Sequence, residues 1–96
     1  MKGSEEIKEF ADYVLKMTTS YSNLGISTEE VISLQEKIKN TPEWHVFITT
    51  PIFSKILRKK YGIWIEKAGT LSDRTGYKLF FPVGQGKHQF IMLSFK

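Results

Sequence analysis

Thr49-Thr50-Pro51-Ile52-Phe53-Ser54-Lys55-Ile56-Leu57-Arg58-Lys59-Lys60-Tyr61-Gly62-Ile63 is the stretch on which the reading of this chain turns. Pro51 suits the first turn of a helix, where a missing N–H costs nothing, and Thr49 or Thr50 suits the cap before it. Phe53, Ile56, Leu57 and Tyr61 fall on one side at helical spacing, and Gly62 is a natural stop. Ser54, Lys55, Arg58 and Lys59 fall on the other side. The segment therefore predicts a short amphipathic helix with a greasy side for its own domain and a cationic side for something else.

Upstream, Ser4 and two glutamates open a helix over about residues 4–17, with Ile7, Phe10, Ala11, Val14 and Leu15 as its apolar stripe. Thr18 to Gly25 reads as a loop. Ser27-Thr28-Glu29-Glu30 has the capping-box pattern, and Val31, Ile32, Leu34 and Ile38 supply a face for a second helix ending near Lys39. Trp44 to Thr49, with Trp44, Val46 and Ile48 alternating, predicts a short strand.

Downstream, Ile63 to Lys67 predicts a strand and Ala68 to Gly76 a projecting loop carrying Asp73 and Arg74. Tyr77 to Val83 returns as a strand with Tyr77, Leu79, Phe81 and Val83 on one side. Gly84-Gln85-Gly86 turns the chain into a last strand, Phe90 to Phe95, with Ile91, Leu93 and Phe95 inward. Trp64 and Phe80 fall on the sheet's other face, where an exposed pair stacks bases or docks a protein, and a covered pair simply packs. The order predicts an α+β fold, N-terminal helices packed on a largely antiparallel C-terminal sheet.

Ninety-six residues allow one domain and one core. The chain has no cysteine and only His45 and His88 as histidines, so neither a disulfide nor a structural metal is expected, and no cofactor is implied. Gly84-x-Gly86-Lys87 lacks the spacing and the following helix of a phosphate loop. No apolar run reaches the roughly 20 residues that span a bilayer, and the acidic start is unlike a signal peptide, so the expectation is a cytoplasmic chain without a membrane partner.

Charge divides the chain. Residues 1–53 carry five lysines against eight carboxylates, a balance of −3, whereas residues 54–96 carry nine Lys or Arg against Glu66 and Asp73, a balance of +7. Such asymmetry is the footprint of a polyanion binder.

Residues 49–83 resemble the recognition helix and wing of winged-helix DNA-binding domains. The likeness is greatest to those appended to phage and plasmid replication proteins, in which Leu-x-x-x-x-Gly-Ile is followed by Gly-Tyr entering the wing's second strand. Leu57, Gly62, Ile63, Gly76 and Tyr77 carry the match. The resemblance implies a winged-helix-like fold and binding of nucleic acid, DNA before RNA, in a regulatory or replication-accessory role. Thr50, Ser54, Lys55, Arg58 and Lys59 would meet the groove, with Arg58 suited to guanine. Lys67, Arg74 and Lys78 would serve the wing. A homodimer stays open.

Two other functions also stay open. A ribosome-dependent endoribonuclease toxin shares this size and charge, with Tyr77, Lys78, Arg74, His88 and Lys96 as candidate catalytic groups. A viral or mobile-element accessory protein would instead dock through Trp64, Phe80 and the last strand.

Overall fold

A computed structural model describes residues 2–19 and 28–96. Within them four helices precede three strands: α1 (Lys2–Thr19), α2 (Thr28–Lys39), α3 (Pro42–Thr49), α4 (Pro51–Tyr61), β1 (Trp64–Leu71), β2 (Arg74–Gly84) and β3 (Lys87–Phe95). The strands form one antiparallel sheet in the order β1-β2-β3. The α+β arrangement expected from the sequence is the one observed. The proposed Ser27 cap and most of the Thr18–Gly25 loop lie outside the described residues; Thr18 and Thr19 belong to α1.

The core follows the helical stripes. Ile7, Phe10, Ala11, Val14 and Met17 of α1, Leu34 and Ile38 of α2, and Leu57 of α4 are buried against Leu79, Phe81, Ile91, Leu93 and Phe95 on one face of the sheet. Aromatic rings knit the helices together. Phe10 meets Trp44 edge-on at 5.1 Å and Phe47 at 6.1 Å between centroids, and Phe47 lies 4.9 Å from Phe53. Such pairs add to the large area these rings already bury.

Residues 44–49 are not a strand. They belong to α3, which starts at Pro42 with Thr41 as its N-cap residue. Trp44, Phe47 and Ile48 are buried, a 3–4 spacing, while Val46 of the supposed alternating set is 44% exposed. A run with apolar residues at 44, 46, 47 and 48 fits both periods, and packing chose the helical one. Thr50 alone then separates α3 from α4. Its backbone is extended (φ −110°, ψ 113°), its N–H donates to the Val46 carbonyl at 2.9 Å, and its carbonyl accepts from Phe53 at 3.1 Å. A single residue closes one helix and opens the next.

Ala68 to Gly76 is not a loop either. β1 runs on to Leu71, with Gly69 opposite Gly76, Thr70 opposite Thr75 and Leu71 opposite Arg74, so a two-residue turn at Ser72-Asp73 closes the hairpin. A bulge between Lys67 and Gly69 takes up the extra residue. From Glu66 to Leu71 every β1 residue is exposed, so no apolar alternation marked this part as strand. β3 likewise starts at Lys87, three residues before the expected Phe90, across a tight Gln85-Gly86 turn with positive φ at both residues (55° and 73°).

Both edges of the sheet are met by helix side chains. At β1, Ser54 of α4 accepts a hydrogen bond from the Ile65 N–H at 2.9 Å and donates to the Ile65 carbonyl at 3.2 Å. At β3, Gln35 of α2 accepts from the Ser94 N–H at 3.0 Å. Each contact satisfies backbone groups that an edge strand otherwise leaves open to pairing with another chain.

Candidate nucleic-acid interface

Helix α4 is seated by Leu57, which is fully buried, with Phe53, Ile56 and Tyr61 half-buried around it. Its C-terminus is closed by Gly62, whose left-handed backbone (φ 73°) lets its N–H donate to the Arg58 carbonyl at 3.1 Å. Arg58, Lys59 and Lys60 occupy the last turn, where cations complement the helix dipole. Lys55 and Lys59, one turn apart, point away from Leu57 into solvent. Among the described residues none of these four cations has a carboxylate within ion-pair distance.

The other proposed groove contacts differ in fate. Ser54 is not on the free face: its hydroxyl is spent on both polar groups of Ile65, so it fastens α4 to the sheet. Thr50 is half-buried and serves as the hinge between α3 and α4. Lys67 does join the cationic surface. It and Lys55, from different elements, line a cavity of about 360 Å³ between the α3–α4 turn and the sheet, together with Thr49, Ser54 and Tyr77. No carboxylate lines that cavity.

Arg74 lies elsewhere. There is no projecting loop to carry it; it begins β2, and its Nε and Nη2 donate to the Ser94 hydroxyl and carbonyl at 2.8 and 2.9 Å. That ties it to β3, where it borders a cavity of about 450 Å³ with Lys39, His45 and Lys96. Lys96 is itself 3.7 Å from Asp73. Lys78 sits on the sheet face turned away from the helices, its ammonium 5.0 Å from the Phe90 ring centre.

Arg58 leans from α4 across the start of β1, its guanidinium carbon 4.5 Å from the centre of the Trp64 indole. Trp64 is stacked on Phe80 at 4.8 Å and 9°, and Phe80 lies 5.3 Å from Phe90. The basic side of α4 is thus continuous with an aromatic row on the outer face of the sheet. Sequence reading placed Trp64 and Phe80 on that face but did not connect them to Arg58; it also left out Lys60, which sits in the basic last turn.

The five candidate catalytic groups are spread over three places. Tyr77 is on the inner face, 6.2 Å from the Phe95 ring, Lys78 and His88 are on the outer face, and Arg74 and Lys96 are beside β3.

Compared with protein-family models, with curated proteins and with solved structures, the chain matches none. Among the described residues, no helix is long and apolar enough to cross a membrane.

Proposed function

We propose that this chain is a small nucleic-acid-binding protein that docks on double-stranded DNA through α4, with the β1–β2 hairpin as its wing. The observation that carries the reading is the exposed set Lys55, Arg58, Lys59 and Lys60 on one short helix, unopposed by acid among the described residues. A helix that enters the major groove needs one side held by its domain and the other free. Leu57, Phe53 and the Ser54 bonds to Ile65 do the holding.

The element order adds support. α3, the one-residue Thr50 turn and α4 are followed directly by a two-stranded hairpin, which is the sequence of parts in a winged helix. In this proposal Arg58 reads a base edge, Lys55 and Lys59 meet phosphates, and Lys67 on the wing's first strand meets a phosphate beside Lys55. Arg74 and Ser54 take no part: one is tied to Ser94 and the other to Ile65.

The test is a double charge reversal, Lys55→Glu with Lys59→Glu, which leaves both the Ser54 anchor and the Arg58–Trp64 contact in place. Duplex affinity at low salt should fall by at least a hundred-fold, about 1.4 kcal/mol for each tenfold step, with an unchanged circular dichroism spectrum. Affinity within threefold of the parent would remove α4 from the interface.

A further inference from the structure

The outer face of the sheet is built against type. One side of an antiparallel sheet left to water ordinarily carries polar side chains. Here Trp64, Phe80 and Phe90 stand directly opposite one another across all three strands, with His88 tilted against Trp64 at 4.8 Å and Met92 one pair further on. Phe90 is 48% and Met92 49% exposed, so that part of the face stands open to solvent beside the Lys78 side chain. The row has a cation at each end: Arg58 lies over Trp64 and Lys78 over Phe90. The carboxylate on the same face, Glu66, accepts the Trp64 indole N–H at 3.0 Å.

We propose that this face binds an unpaired stretch of nucleic acid, with bases stacking on Trp64 and Phe90 in the places now taken by Arg58 and Lys78. Both cations sit on long, flexible stems, and at exposed sites a cation over a ring is held less firmly than a stacked base. When a base takes the ring, each cation swings to the neighbouring phosphate, so the strand gains a stacking contact and a charge contact together. Its chemistry fits both features of the row, flat aromatic faces and flanking positive charge. A second copy stacked row on row would set Arg58 and Lys78 against the same two kinds of cation whichever way round it lay, and like charges oppose that pairing. The residues used differ from those of the duplex proposal except for Arg58, and the inference holds whether or not α4 meets a groove.

The experiment uses the whole chain and a short oligothymidylate at low salt, read by tryptophan fluorescence. Trp44 is buried in the core, so quenching on titration reports Trp64. The proposal expects quenching, a loss of about tenfold or more in affinity for Phe90→Ala, and recovery of most of it in Phe90→Tyr, which keeps the ring. Lys55→Glu with Lys59→Glu should reduce duplex binding far more than oligothymidylate binding, which separates failure of this idea from failure of the helix reading. The inference is overturned if Phe90→Ala binds the oligonucleotide within twofold of the parent. It is equally overturned if the parent is a dimer that Phe90→Ala converts to monomer while oligothymidylate leaves Trp64 fluorescence unmoved.

Discussion

Ser54 and Gly62 show how much a single position fixes here. Both looked subsidiary in the sequence: a polar member of a basic face, and a stop. Ser54 proves to be the bolt between α4 and the sheet, and its hydroxyl satisfies a donor and an acceptor of the same strand residue. Ser54→Ala should therefore lower unfolding free energy by roughly 1–3 kcal/mol in urea titrations, because two half-buried backbone groups lose their partner. At fixed folding, duplex affinity should hardly change; a loss like that of the lysine reversals would restore Ser54 to the interface. Gly62 holds a left-handed conformation, and a methyl group added there would meet Pro82 Cγ only at an ordinary 3.8 Å. Gly62→Ala should cost about 1 kcal/mol of stability, all of it backbone strain, again measurable by urea unfolding.

Among the elements, legibility in the sequence tracked burial. α1, α2 and α4 were readable because their apolar stripes repeat over about three turns or more, with Gly62 as a recognisable stop for α4, and β2 because Tyr77, Leu79, Phe81 and Val83 alternate; Ser4, the expected start of α1, falls inside a helix that begins at Lys2. α3 was misread since eight residues give too few turns to separate a helical period from an alternating one when the apolar residues fall at 44, 46, 47 and 48. The distal half of the β1–β2 hairpin was misread for the opposite reason. From Glu66 through the Ser72-Asp73 turn every residue is exposed, so small and polar side chains such as Ala68, Thr70 and Ser72 carry no burial signal. The candidate site inherited these errors unevenly. The cationic side of α4 was visible in the spacing of Lys55, Arg58 and Lys59. Arg74 was placed on a loop that does not exist. Contacts between distant positions, Arg58 with Trp64 and Arg74 with Ser94, have no local signature at all.

On the scale of the whole molecule, the basic C-terminal half is not one uniform field. Lys55, Arg58, Lys59 and Lys67 gather around α4 and the β1 edge, Lys78 joins them by way of the aromatic row, and Arg74 with Lys96 lies beside β3. Duplex binding should therefore depend on local charge at α4 and not on the net +4. The most direct test is a salt titration of binding to labelled duplex DNA, for the parent and for Lys55→Glu with Lys59→Glu. With Lys55, Lys59 and Lys67 at phosphates and Arg58 at a base edge, log affinity should fall against log salt with a slope of about −3 in the parent. The double variant should be shallower by about 2. A parent that does not bind duplex even at low salt, or a slope the reversals leave unchanged, would contradict the claim that α4 is the DNA-facing surface.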